Sequence, residues 1–130
     1  GRENMEQEQA SILVIDDERK ITEIIGDFLI SKGFNVEKAY GGQEGLDIVE
    51  GNPSIDLVIL DMKMPGLDGM AVIKKLESLG KNIPILIVTG SIGLPHVIHS
   101  QGIKCEGVLI KPVRLSKLLE TIKEILSRKK

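Results

Sequence analysis

Residues 56–69 read DLVILDMKMPGLDG, a short apolar run that ends in Asp61 and a turn containing Pro65 and Gly66. This run and four similar ones predict strands at 11–15, 34–38, 56–60, 84–88 and 106–110. The intervening and final segments space apolar residues three and four apart, which predicts helices at about 18–31, 42–50, 69–79, 92–101 and 115–128. Strict alternation of strand and helix predicts a doubly wound α/β sheet of five parallel strands and five helices.

The composition is that of one ordinary globular domain, with 130 residues, 42% of them hydrophobic and 28% charged. A net charge of -2 argues against a surface built to bind nucleic acid broadly, and the single cysteine excludes an intrachain disulfide. No apolar run approaches the ~18 residues of a membrane span, so we expect a cytoplasmic protein without membrane contact. We expect the polar residues 1–10 to form a disordered leader or tag remnant, and residues 11–128 to form the domain.

Chemically distinct side chains follow four of the predicted strands: Asp16 and Asp17, then Asp61, Thr89 and Lys111. In doubly wound sheets ligands bind at the carboxyl ends of the strands. Three carboxylates at one edge repel one another unless a cation neutralises them, and oxygen ligands of this kind suit Mg²⁺. A lysine and a hydroxyl beside them complete a phosphoryl site with one aspartate as acceptor. Aspartates also cap helices, but convergence from four strand ends favours a functional site.

These residues resemble a known family. Asp16-Asp17, the stretch DMKMPGLDG at 61–69, Thr89 and Lys111-Pro112 are similar to the receiver domain of bacterial two-component response regulators, and the resemblance covers about 11–128. It implies a flavodoxin-like sheet with strand order 2-1-3-4-5 and makes the bond before Pro112 a candidate for a cis peptide.

The resemblance also implies a role for each site residue. Asp61 would be the phosphoacceptor, and Thr89 and Lys111 would contact the phosphoryl group. Magnesium would be held by Asp17, by Asp61, by the backbone carbonyl of Lys63 and, mainly through water, by Asp16. The domain would be a signalling switch rather than an enzyme, with intrinsic phosphoryl-transfer and autodephosphorylation chemistry.

The partners follow from the same resemblance. A histidine kinase or phosphotransfer protein would supply the phosphoryl group. The face formed by the fourth helix, fifth strand and fifth helix would bind an output domain or partner protein, with no direct nucleic-acid contact by this domain.

One position departs from the family pattern. The family usually carries Tyr or Phe three residues before the lysine, where this chain has Val108. This departure leaves open an alternative, a receiver-like protein-binding module that acts without phosphorylation. Enzyme alternatives fit less well, because a phosphatase resembling the haloacid dehalogenases needs D-x-D where residues 16–18 read Asp-Asp-Glu. The phosphate loops of flavin carriers and P-loop proteins are absent from the sequence.

Overall fold

A computed structural model describes residues 10–128 of the chain. Most of the predicted leader lies outside the described residues. Ala10 is described, and its carbonyl accepts a hydrogen bond from Asn35 N at 3.0 Å. The five strands are β1 (Ser11–Ile15), β2 (Asn35–Ala39), β3 (Ile55–Leu60), β4 (Ile85–Thr89) and β5 (Gly107–Ile110).

The strands form one parallel sheet in the order β2-β1-β3-β4-β5, which confirms the predicted fold. Each strand begins and ends within one residue of its predicted bounds. The largest difference among the helices is at α4. It was predicted at about 92–101, and it begins after Gly93 and ends before Gln101. The helices are α1 (Arg19–Ser31), α2 (Gly42–Gly51), α3 (Gly69–Ser78), α4 (Leu94–Ser100) and α5 (Leu115–Arg128).

The core has two layers, one on each face of the sheet. Alternate β1 side chains divide between them, with Leu13 and Ile15 on one face and Ile12 and Val14 on the other. The Leu13 face is covered by α2, α3 and α4, and the Ile12 face by α1 and α5. Burial on both faces explains why β1, β3 and β4 read as nearly continuous apolar runs.

Among residues 10–128, no helix is both long and apolar enough to cross a membrane.

Candidate functional site

Backbone pairing brings the candidate side chains to one edge of the sheet. Ile15 pairs with Leu60, so the residues that follow them, Asp16 and Asp61, become neighbours. Asp61 N donates to Ile15 O at 3.0 Å, which holds the two strand ends in this register. On the other side of β3, Lys111 N donates to the carbonyl of Thr89 at 2.7 Å. The described residues at this edge therefore include every side chain assigned from sequence.

Three carboxylates converge at this edge. Asp16, Asp17 and Asp61 each offer an oxygen, and the three oxygens lie within 4.8 Å of one another. Asp16 and Asp61 are buried, whereas Asp17 is exposed. Burial, together with the charge of Asp16, raises the pKa of Asp61 to about 6, although Lys111 partly offsets the rise. This all-oxygen donor set fits a hard divalent cation, which would relieve the repulsion.

The ammonium of Lys111 offsets part of the negative charge of the site. Its Nζ donates to Asp16 Oδ2 at 2.9 Å and to Glu18 Oε1 at 3.0 Å, and it lies 3.8 Å from Asp61 Oδ1. Burial lowers the pKa of Lys111, but the hydrogen bonds to Asp16 and Glu18 outweigh burial, and the net shift is upward. Lys111 therefore stays charged beside the acidic cluster. The Lys111–Pro112 bond is cis, as the sequence suggested.

Glu18 directly follows the two aspartates, but its residue type alone indicated no role at the site. Its backbone N donates to Asp16 Oδ1 at 2.9 Å, and its side chain reaches Lys111. Thr22 Oγ1 donates to the carbonyl of Asp16 at 2.6 Å, so the loop after β1 is tied down from α1. The first turn of α1 thus orients both partners of Lys111.

Thr89 ends β4 and is only 1% exposed. Its Oγ1 accepts a hydrogen bond from Ser91 N at 3.1 Å, which orients the hydroxyl at the start of the loop leading to α4. A Cβ added at Gly90 or Gly93 would meet nothing within 4 Å, so there is open space beside both glycines of this loop. Thr89 therefore joins a buried strand end to a segment that has room to move.

The loop after β3 surrounds Asp61 with backbone atoms. Lys63 N lies 3.4 Å from Asp61 Oδ1, and the Lys63 side chain is exposed. A Cβ at Gly69 would lie 2.6 Å from both the Asp61 carbonyl oxygen and Met62 Cα, so only glycine fits where α3 begins. Asp68 caps α3, because its Oδ1 accepts from Ala71 N at 3.0 Å. The assignment of the Lys63 carbonyl as a metal ligand stays a prediction.

Val108 lies in the middle of β5, paired with Ile87 of β4. Its side chain is partly buried and packs against the core layer on the face covered by α2, α3 and α4. A valine has no ring to move between an exposed and a buried position, so the aromatic readout usual in the family has no counterpart at this residue.

Comparisons with known proteins agree with this geometry. The family model described as "Response regulator receiver domain" matches residues 12–123. A response regulator receiver domain protein from Clostridium thermocellum has 37% sequence identity and a TM-score of 0.83, with 92% of this chain and 96% of that chain covered. A CheY-like receiver domain protein from Methanospirillum hungatei JF-1 has 30% identity and a TM-score of 0.84, with 93% and 96% covered.

A curated relative, response regulator MprA of Mycobacterium sp. (strain KMS), is 36% identical over 117 residues, which is 90% of this chain and 50% of the relative. MprA of Mycobacterium avium (strain 104) is 34% identical over 119 residues, with 92% and 52% covered. The chain thus spans about half the length of the curated relatives it matches. With the family model covering most of its length, the chain belongs to the family of response regulator receiver domains.

Proposed function

We propose that this chain, over residues 11–128, is a phosphoacceptor domain that takes a phosphoryl group onto Asp61. The donor is the phosphohistidine of a histidine kinase or phosphotransfer protein. An Asp61 carboxylate oxygen forms the new bond to phosphorus as the bond from phosphorus to the histidine nitrogen breaks, and the imidazole leaves with that electron pair. The observation that carries this proposal is a buried acceptor, Asp61, between two more carboxylates and the Lys111 ammonium.

The Asp61 carboxyl must be ionised to act as a nucleophile, and its neighbours set the fraction that is ionised. A pKa of about 6 leaves Asp61 mostly ionised near pH 7 while keeping it a better nucleophile than an ordinary aspartate. Mg²⁺ would be held by Asp16, Asp17, Asp61 and the carbonyl of Lys63. When bound it would neutralise charge on the transferred oxygens.

Lys111 and Thr89 would read the phosphorylated state. Lys111 Nζ is already 3.8 Å from Asp61 Oδ1, so a short shift would pair it with a phosphoryl oxygen. The Thr89 hydroxyl would donate to another oxygen and draw the following loop with it. Because Val108 offers no ring, we infer that movement of the loop after Thr89 marks the activated state.

The partners complete the proposal. We infer that the face formed by α4, β5 and α5 binds an output domain or partner protein, and that this domain makes no direct nucleic-acid contact. The setting is the cytoplasm, where the kinase would present its phosphohistidine.

The second candidate is a receiver-like binding module that works without phosphorylation, and Val108 is the observation that favours it. The charged site argues the other way. A module that only bound protein would gain nothing from keeping three carboxylates and an ammonium together, since such repulsion costs stability unless a ligand offsets it.

Incubation with acetyl phosphate and Mg²⁺ tests the proposal, because intact mass should show one added phosphoryl group. Asp61→Asn should abolish labelling, whereas the matched control Asp47→Asn, at an exposed α2 position that accepts a hydrogen bond from Gln43, should label normally. Undiminished labelling of Asp61→Asn would remove Asp61 from the role of acceptor. Wild type that stays unlabelled under these conditions would favour the binding module.

A further inference from the structure

Glu18 sits at the N-cap of α1 without acting as a side-chain cap. Its carbonyl accepts from Ile21 N at 2.9 Å and Thr22 N at 3.1 Å, which is the ordinary start of a helix. Its carboxylate makes no cap hydrogen bond to the helix backbone. Glutamate is an uncommon N-cap residue, since the short side chains of Ser, Thr, Asp and Asn reach the free N–H groups better. The carboxylate is thus available for a partner across the sheet edge.

That partner is Lys111, 93 residues further along the chain. Two of the three ammonium donors are used by Glu18 Oε1 at 3.0 Å and Asp16 Oδ2 at 2.9 Å. The Asp61 Oδ1 atom lies 3.8 Å from the ammonium, beyond hydrogen-bond distance. In this structure the ammonium is therefore closer to Glu18 than to the group on which it would act.

The two bonds that hold Lys111 differ in exposure. The Asp16 side chain is 5% exposed and the Glu18 side chain 62%. Water can replace an exposed carboxylate at little cost, whereas a buried one loses its partner at a high cost. When Lys111 turns toward a phosphoryl oxygen, the bond to Glu18 is the one that breaks readily.

We propose that Glu18 is a positioning residue that holds Lys111 back from Asp61 in the resting state and releases it when a phosphoryl group arrives. The inference rests on the proposed function and adds a regulatory element to it. Glu18 shifts the balance between two positions of one ammonium and thereby sets how readily the phosphorylated arrangement forms. Losing the contact should tighten binding of a phosphoryl mimic about two- to fivefold, the range of an exposed ion pair.

The probe is beryllofluoride with Mg²⁺, titrated into wild type, Glu18→Gln and Glu18→Asp. The glutamine variant removes the charge but keeps the length of the side chain. The aspartate variant keeps the charge but is one methylene too short for the 3.0 Å contact with Lys111. Glu120→Gln is the matched control, because Glu120 is an exposed α5 glutamate that also faces a lysine, at 3.7 Å from Lys117 Nζ.

Both Glu18 variants should bind beryllofluoride more tightly than wild type and the Glu120→Gln control. The Lys111 ammonium ¹⁵N resonance should also shift in both Glu18 variants without magnesium or mimic, which is a readout that a change in general stability would not produce. In a Lys111→Met background, the Glu18 substitutions should have no effect on affinity.

Three outcomes would overturn the inference. Tighter binding by Glu18→Gln alone would assign the effect to charge at a distance rather than to the contact. Unchanged or weaker binding by both variants would show that Glu18 does not hold Lys111 back. Wild type that fails to bind beryllofluoride would overturn the proposed function as well, so the failure of each is distinguishable.

Discussion

The central strands of the sheet and its β5 edge differ in how firmly they are packed. On the β1 and β3 side, four of five β1 residues and five of six β3 residues are buried. At the β5 edge no β5 residue is fully buried, and α4 buries only Ile98. The firm side, which is β1 and β3 with the loops that follow them, supplies the three carboxylates. The loose side, which is α4, β5 and the residues between them, leads directly into Lys111 and follows the loop after Thr89.

Polar contacts also fix β2, the neighbour of β1, against α1. Lys38 of β2 donates to Glu23 at 2.7 Å and to Asp27 at 2.8 Å on α1. Its stem lies across Gly26, where an added Cβ would be 2.4 Å from Lys38 Cε. Tyr40 also donates its hydroxyl to Glu23, and the Arg19 guanidinium stacks over the Tyr40 ring at 3.8 Å. A phosphoacceptor needs fixed geometry, whereas a segment that reports phosphorylation needs freedom to move.

Substitution of Lys111 should break the link between the two sides. Lys111→Ala should leave Asp61 able to bind beryllofluoride but remove most of the amide shifts that the mimic causes across residues 90–110. Lys111 is the cation that connects the site to β5, so its loss isolates the loose side. The measurement is a ¹H–¹⁵N correlation spectrum with saturating mimic and Mg²⁺.

Thr89→Ala should act in the same direction, and Thr89→Ser, which keeps the hydroxyl, should restore the shifts. Lys104→Ala is the control, since Lys104 is an exposed lysine on the loose side. Wild-type shifts in both Lys111→Ala and Thr89→Ala would contradict the proposed coupling.

The next effect separates two adjacent aspartates on the firm side. The Asp17 side chain is exposed and makes no hydrogen bond or ion pair within residues 10–128, whereas both Asp16 oxygens are already engaged by Glu18 N and Lys111. Asp17→Asn should therefore weaken Mg²⁺ binding about tenfold, and more than Asp16→Asn does. Calorimetric titration measures both affinities. Equal affinity in wild type and Asp17→Asn would refute the assignment.

The sequence was sufficient to predict the strands mainly because the three central ones, β1, β3 and β4, are buried. Runs such as 56–60 and 84–88 have nearly uninterrupted apolar side chains, and this pattern places their strands to within one residue of the observed Ile55–Leu60 and Ile85–Thr89. The predicted strand 34–38 was likewise shifted by one residue from the observed Asn35–Ala39. Phe34 is buried like a strand residue, yet β2 begins at Asn35. The end of α4 was less predictable because its periodicity is weak and its neighbours are glycines.

The candidate site was predictable in its members and not in its contacts. Parallel strands end at a common edge, so Asp61 and Lys111 could be placed together from sequence. The Glu18 contact could not, because it depends on the side-chain geometry of residues 93 positions apart. Whether Lys111 is held by Asp61 or by its neighbours is decided by tertiary packing within about 1 Å.

A smaller effect concerns the cost of keeping Asp61 charged on the firm side. Its folded-state pKa of about 6 lies above the ordinary aspartate value, so the folded protein binds the proton more tightly than the unfolded chain does. Without metal, this term makes the protein more stable as the pH falls from about 7 to about 4. Asp61→Asn should remove the term and raise the free energy of unfolding by up to about 3 kcal/mol at pH 7.5, since one unit of pKa corresponds to about 1.4 kcal/mol.

Urea unfolding in EDTA measures this effect on wild type and Asp61→Asn at several pH values. The difference between them should shrink at pH 5 and vanish near pH 4, since the wild-type carboxyl is then protonated when folded. A difference that does not change with pH would show that Asp61 is not the titrating group. Asp47→Asn, at an exposed position, serves as the control.

The last prediction concerns Lys63 and the lifetime of the acyl phosphate on Asp61. Lys63 is exposed two residues after Asp61, with its N–H 3.4 Å from Asp61 Oδ1. An ammonium that pairs equally with ground and transition states gives no acceleration, while its stem still excludes water. Lys63→Ala should therefore shorten the phosphoryl lifetime by about two- to threefold, with the amide shifts at 90–110 unchanged. Lys74→Ala on α3 is the control, and an unchanged or longer lifetime in Lys63→Ala would remove Lys63 from this shielding role.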